Sequence, residues 1–371
     1  MNGKKKDKPI YYGGQALMEG VMMQGNGGYS MAVRTSDGKI VYKNGKRQTL
    51  MDKHKFWRLP ILRGLASFCS SMYFGMSTLA WSAFWAGDDE EETLSWKEIA
   101  IAIVLALVFS VGLFVILPVF LANFSVQYIG HFGRSALEGL IRISVFILYV
   151  VLIRKMPDVA RVFQYHGAEH KTISTNEAGD SLTPQAAKKY STIHCRCGTS
   201  FIFMTLLMMI VIFTFIGNYG VLGRIATKIL VMPFVFGISY EIFRLPLKFP
   251  DSKIVKALIT PGLWMQKLTT MEPDESMLEV GIVSLLTVPG FPRAAEFPLP
   301  ECAMSEDEYK AYLERKKEEP KSDDGENDDE NNGENVEASG GADGQNGGDT
   351  APQKVSLEKT SAGQSAKSAE D

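Results

Sequence analysis

Apolar residues fall along this chain in blocks whose length and period assign the elements. From Ile99 to Phe124 the sequence is uncharged, and about 20 such residues cross the hydrocarbon core of a bilayer as a helix. Comparable blocks run over about 137–153, 199–217 and 225–243. The second carries Glu138 and Arg142, spaced i, i+4 so that they can pair on one helix face. Residues 64–86 are apolar but rich in Ser, Gly and aromatics, which suits a re-entrant or interfacial helix. Residues 261–270 read as an amphipathic interfacial helix with Trp264 at headgroup depth.

Residues 10–60 are polar and Gly-rich with a period of two. Tyr29–Thr35 and Lys39–Lys43 flank Ser36-Asp37-Gly38, and Asp-Gly between alternating runs predicts a hairpin, because both residues tolerate the positive φ of the turn. The glycines around Gln15 and Met18 imply tight turns or close backbone approach. Glu279 to Val288 is a short apolar stretch able to pack on the hairpin. The predicted fold is mainly α: a polytopic membrane protein of about four transmembrane helices plus re-entrant or interfacial helices, with a small N-terminal β-hairpin region. Its expected divisions are a cytoplasmic N-terminal region over residues 1–60, a membrane domain 61–303 with a cytoplasmic loop 154–198, and a tail 304–371.

Charge sharpens this picture. The net charge of −3 conceals a split, since residues from Met304 onward hold 8 Lys/Arg against 19 Asp/Glu. The tail has too few large apolar residues to offset its ordering entropy and is expected to be disordered. The remaining body is basic, as suits a protein facing anionic lipid. Residues 1–8 are basic and expected to be mobile, and 88–92 form an acidic, exposed run. Lys and Arg crowd residues 1–63, 154–198 and 244–267, which places both termini in the cytoplasm by the positive-inside rule. Arg224 and Lys228, ahead of or within the fourth block, disagree weakly. The expected location is the bacterial cytoplasmic membrane, multi-pass, with membrane lipid as partner and membrane proteins as a further partner class.

The chemistry concentrates in one stretch. Three of the five His and two of the four Cys lie between His166 and Cys197. His166-x-x-Glu169-His170 places two imidazoles on one face if the segment is helical, and the order H-x-x-E-H matches an inverted zinc-protease signature in which both His bind metal and the Glu activates water. Gly167 weakens the helix expectation. His194-Cys195-Arg196-Cys197-Gly198 supplies Cys197 or His194 to complete a zinc-like site. The alternatives are a polar surface helix with capping His, and a small buried Cys at a helix start. Glu19 and Glu241 are supporting candidates, Glu19 for its Gly neighbours and Glu241 as an ionisable residue inside a membrane block. A pair between Glu241 and Arg244 is the structural alternative. There is no Walker loop, dinucleotide fingerprint or nucleophile elbow, and no aromatic-interleaved basic surface for nucleic acid.

Gly13-Gly14-Gln15-Ala16-x-Met18-Glu19-Gly20-Val21-Met22-Met23, Tyr165-His166-Gly167-Ala168-Glu169-His170-Lys171 and His194-x-Arg196-Cys197-Gly198-Thr199-Ser200-Phe201 resemble the YqhQ-like bacterial membrane proteins. Tyr240-Glu241 and Pro261-Gly262-Leu263-Trp264-x-Gln266-x-Leu268-Thr269-Thr270 are similar too. The resemblance covers about residues 10–290 and implies a domain of unknown function described as a metal-dependent enzyme. That family usually has proline where Cys195 stands, which favours Cys197 as a ligand. The expected function is a metal-dependent hydrolase at the cytoplasmic membrane face, with a divalent transition metal, zinc by preference, held by His166, His170 and Cys197 or His194, and Glu169 as the base. The competing expectation is a non-catalytic scaffold, transport or membrane-protein-biogenesis factor with a structural His/Cys/Glu cluster.

Overall fold

Two two-residue hairpins and one longer turn build the N-terminal sheet. Strands β1 (Gly13–Leu17), β2 (Gly20–Gly25), β3 (Gly28–Arg34) and β4 (Ile40–Lys46) pair antiparallel in sequence order, and β5 (Ala303–Ser305) adds in parallel to β4. This computed structural model describes residues 10–25, 27–87, 96–124, 128–215, 221–249 and 251–318. The expected mobility of residues 1–8, exposure of 88–92 and disorder beyond 318 concern residues outside these.

The sheet is apolar on both faces, so β2 reads Val21-Met22-Met23 without alternation, as strands buried on both sides do. Val21, Met23, Ala32 and Ile40 face one core, whereas Leu17, Met22, Met31, Val33 and Val41 face another. Short α1 (Leu50–Lys53) leads to α2 (Leu62–Ala86), one uninterrupted helix. Its N-terminal half packs on α9 (Val221–Phe243), with Phe68 stacked on Phe236 at 4.2 Å. Its C-terminal half brings Phe74, Trp81 and Trp85 to the second face of the sheet. The re-entrant or interfacial expectation for 64–86 thus becomes a helix that ties the bundle to the sheet.

Helix α3 (Trp96–Val111) continues through a π-turn (Gly112–Ile116) into α4 (Leu117–Asn123), and α5 (His131–Ile153) follows. The expected loop 154–198 instead contains α6 (Pro157–Glu177) and α7 (Pro184–Lys188). Then come α8 (Gly198–Thr214), α9, α10 (Leu245–Lys248), α11 (Lys253–Thr269), α12 (Glu275–Leu286) and α13 (Glu306–Glu318). Helix α11 starts eight residues before the expected interfacial segment because Ser252 caps it, its side chain accepting from the Val255 N–H. Trp264 on it is 66% exposed, as an interfacial anchor requires. Helix α12 is the apolar stretch expected to meet the hairpin: Leu278, Val280 and Val283 pack with Val21 and Ala32.

Among the described residues, three helices are long and apolar enough to cross a membrane: Ile101–Asn123, Phe132–Ile153 and Leu222–Phe243. Their outward faces are apolar, with Leu105 and Val108 63% and 65% exposed, a surface that water disfavours. Helix α8, the remaining expected span, has 17 residues and rises about 25 Å, short of a bilayer core of about 30 Å. It packs centrally: Phe203, Leu206, Met209 and Phe213 share a core with Val150, Val235 and Met265.

Within the tail expected from 304, the described residues form β5 and α13. Tyr309 packs against Trp85 at 5.5 Å, and Tyr309, Tyr312 and Leu313 join the core beside the sheet. Three apolar residues on one helix face fix α13, which average composition conceals.

Glu138 and Arg142 do pair, at 2.8 Å, and more than pair. Arg224 reaches the other Glu138 oxygen at 2.6 Å, and Lys228 also bonds to Glu138. Arg142 Nε donates to the Phe114 carbonyl in the π-turn, at 2.8 Å. All four residues are at most 3% exposed. Arg224 and Lys228 are therefore interior charges of the bundle, which removes their disagreement with the positive-inside pattern. Glu138→Ala leaves three buried cations without their shared carboxylate and is expected to cost about 3–5 kcal/mol. Leu140→Ala, on the exposed side of the same helix, should change little. Thermal melting of the two variants in detergent checks this, and equal melting would contradict the shared role of Glu138.

Candidate metal centre

Helix α6 is polar by composition yet buried from Tyr165 through Ile173. It starts at Pro157, whose fixed φ suits the first helical position. Gly167 belongs inside it because the Met271 carbonyl approaches there: an added Cβ would lie 2.1 Å from that oxygen. Close packing overrides the helix propensity that the sequence weighed against this segment.

His166 and His170 are adjacent on α6, their rings 4.5 Å apart. His166 Nδ1 donates to the Thr269 carbonyl at 2.8 Å and His170 Nδ1 to the Thr192 carbonyl. A carbonyl only accepts, so both Nδ1 atoms carry the proton and both Nε2 lone pairs are left available, a tautomer that metal-binding imidazoles take. His166 Nε2 lies 3.0 Å from Cys197 Sγ. His170 Nε2 is buried and has no partner in hydrogen-bonding geometry, although the thiol is near enough to oppose the lowering of the His170 pKa by burial. The ligand atoms of His166, His170 and Cys197 all lie within 4.8 Å of one another. Two imidazole nitrogens and a thiol are a donor set that zinc-like ions take. An orphaned buried nitrogen aimed into such a group is what an absent cation leaves, so these residues fit a metal.

Cys197 is the N-cap of α8. Its sulfur accepts from the Thr199 N–H at 3.4 Å and lies 3.1 Å from Thr199 Oγ1. Gln266 on α11 fixes the segment leading to it. Its Oε1 accepts from the His194 N–H at 2.8 Å, and its Nε2 donates to the His194 carbonyl at 2.8 Å and to Ser200 Oγ at 2.7 Å.

Glu169 is 5% exposed and stands outside the group of three. Burial raises its carboxyl pKa, while His166, His194 and a hydrogen bond from the Gly14 backbone oppose the rise. His194 is placed apart from the ligands: its Nε2 faces Glu177 at 3.3 Å and its ring is 5.8 Å from that of His170. Burial lowers its pKa, with Glu169 opposing. Cys195 is exposed. Glu19 sits in the β1–β2 turn at φ 49°, paired with Arg161 and accepting from Tyr165 OH at 3.3 Å. Glu241 pairs with Arg63 on α2, at 2.5 Å from its Nε, where the sequence suggested Arg244. The structure thus gathers His166, His170 and Cys197, sets Glu169 beside them, and leaves Glu19 and Glu241 in ion pairs elsewhere. Sequence reasoning missed the Thr192 and Thr269 carbonyls, Gln266 as the clamp, and Gly14 as the contact of Glu169. The i, i+4 spacing of the His pair gave no sign of which carbonyls would meet them.

Gly14 is small because Glu169 needs the space. A Cβ there would lie 2.4 Å from the Met22 carbonyl and 2.9 Å from Glu169 Cγ, whereas one at Gly13 meets nothing within 4 Å. Gly14→Ala is expected to cost about 1–3 kcal/mol by overpacking and to displace Glu169, and Gly13→Ala to be neutral. Melting curves of the two variants distinguish them, and equal stability would contradict the close contact.

Residues 59–290 match the family described as Protein of unknown function (DUF1385). The chain is 34% identical over 294 residues to the uncharacterized protein YqhQ of Bacillus subtilis (strain 168), covering 76% of this chain and 92% of that protein. No solved structure matches the chain. The matched range takes in His166, Glu169, His170 and Cys197, and the chain belongs to the DUF1385 family.

Proposed function

We propose that this chain is a multi-pass protein of the cytoplasmic membrane and a metal-dependent hydrolase whose centre is His166, His170 and Cys197. One observation carries the reading: two carbonyls hold the Nδ1 protons of both imidazoles, so that both Nε2 atoms converge on one thiol. A divalent zinc-like ion held there supplies Lewis acidity. Three protein ligands leave a position for substrate, as catalytic rather than structural zinc sites do. Glu169 is the proton acceptor: its carboxylate is desolvated, its pKa is raised, and it packs against Gly14. In this reading α8, at the lower limit of span length, is the fourth pass beside the three longer apolar helices, and the basic segments around residues 1–63, 154–198 and 244–267 put both termini inside.

A second reading has support of its own. His166, His170, Cys197 and Glu169 are each at most 8% exposed, as suits a metal that staples α6 to α8 and α11 without catalysis. In that case the cluster serves a scaffold or a transport or biogenesis factor.

Purified full-length chain is expected to hold about one equivalent of zinc-like metal, and His166→Ala, His170→Ala and Cys197→Ala each to lose it. Glu169→Gln keeps the ligands and should keep the metal, while hydrolysis of peptide and ester reporters falls by about 10²–10⁴-fold. Metal retained with no hydrolysis in the parent chain favours the staple. A parent chain without metal contradicts both readings.

A further inference from the structure

Cations outnumber carboxylates in the apolar helices. Residues 99–153 and 198–243 hold four Lys/Arg, namely Arg134, Arg142, Arg224 and Lys228, and two carboxylates, Glu138 and Glu241. Glu241 is taken by Arg63. Glu138 is thus left to four cations, each at most 5% exposed. It bonds to Arg142, Arg224 and Lys228, and Arg134 lies close enough for its charge to act on Arg224. A guanidinium does not lose its proton in a protein, so positive charge stays in excess even with Lys228 neutral. Uncompensated charge in an apolar interior is strongly unfavourable.

A bonding group is left over as well. Arg224 Nη2 donates to Glu138 Oε2 at 2.6 Å. Among the described residues, the buried Nη1 of the same fork meets no acceptor.

A cavity of about 60 Å³ adjoins the cluster, several times what one water needs. Arg142 and Lys228 stand in its wall, and the remaining lining is apolar, with Phe114 and Val115 of the π-turn, Phe213 and Met232 among it. Both cations lie over the Phe213 ring, at 5.6 and 5.3 Å from its centroid. Ile229 lines the cavity too and is 52% exposed, so the cavity reaches the apolar outer side of the bundle. Along α9, Arg224 and Lys228 stand about 5 and 10 Å from its start, ahead of Ile229 and Met232. Positive charge is therefore nearer the helix end and the apolar cavity deeper. An anionic lipid has its parts in that order, with the phosphate toward the surface and the acyl chains toward the middle of the bilayer.

We propose that this end of the bundle is a specific site for one anionic phospholipid, whose phosphate oxygens accept from Arg224 and offset the surplus cations while part of an acyl chain fills the cavity. Guanidinium forks match phosphate oxygens in geometry as well as charge, and basic pockets between transmembrane helices hold acidic headgroups. This rests on the multi-pass membrane reading above and is independent of catalysis at the His/Cys centre.

For the test, full-length chain in detergent micelles is titrated with dioleoyl phosphatidylglycerol or with phosphatidylcholine of the same chains, and bound lipid is counted by native mass spectrometry. One phosphatidylglycerol per chain is expected, held about tenfold or more tighter than phosphatidylcholine and retained in millimolar inorganic phosphate. Arg224→Met should lose that preference. It leaves Glu138 its bonds to Arg142 and Lys228, and an apolar side chain in place of a buried ion is commonly tolerated. Arg315→Gln removes the same charge from the exposed side of α13 and should keep the preference. Equal binding of the two lipids by the parent chain overturns the proposal whether or not Arg224→Met folds. So does a preference that survives in folded Arg224→Met, or release of the lipid by inorganic phosphate, which would give the site to the free ion. Alkaline carbonate washing of the source membranes separates the two readings: a chain washed into the supernatant defeats the membrane reading, and a chain retained there but without lipid preference defeats the lipid site alone.

Discussion

Nine consecutive residues of a polar helix, Tyr165 to Ile173, are buried, and the rest of the structure is arranged around that constraint. Burying His, Glu, Lys and Thr costs several kcal/mol unless each finds a partner. The partners come from every neighbouring element. Gly14 of strand β1 lies against Glu169, and Thr192 and Thr269 supply carbonyls to the two His. Lys171 donates to the Lys188 carbonyl at 2.6 Å and pairs with Glu272 at 2.6 Å. Within this stretch His170 Nε2 and Thr172 Oγ1 have no hydrogen-bond partner, and His170 Nε2 is the atom that a metal would use.

A second set of buried charges sits at the other end of α5. Glu138 collects Arg142, Arg224 and Lys228 in the bundle, while Arg154, just past the end of α5, donates to the Lys267 carbonyl, two residues from the Thr269 carbonyl that meets His166. From Arg142 to Ile153 the helix rises about 17 Å. The chain thus keeps its fixed ion cluster within the apolar helices and its coordinating side chains at their junction with the sheet. The two have opposite chemistry. The first is crowded with donors around one acceptor, and the second gathers two imidazole nitrogens and a thiol sulfur.

Much of this was legible in the sequence, because it rests on local spacing. The i, i+4 His pair, the Asp-Gly turn, the long uncharged blocks and the apolar stretch of α12 each depend on residues near in sequence. The missed features are distant pairings. Arg224 and Lys228 lie 86 and 90 residues from Glu138, and Arg63 lies 178 from Glu241, so positive-inside reasoning counted as loop charges what the fold buries. Gly167 counted against a helix until the Met271 carbonyl explained it. The order of α13 came from three side chains in a segment whose composition is otherwise that of a solvated tail. Between His194 and Cys197, proximity in sequence left the choice of third candidate open; in the structure Cys197 lies with the two His, while His194 Nε2 meets Glu177.

The central claim is that two imidazoles and one thiolate form a single coordination sphere. X-ray absorption at the zinc edge of the purified full chain tests it directly. The account predicts one sulfur scatterer at about 2.3 Å together with imidazole nitrogens at about 2.0–2.1 Å, and loss of the sulfur shell alone in Cys197→Ser. A shell of oxygen and nitrogen with no sulfur, or a sulfur shell that survives Cys197→Ser, would contradict it.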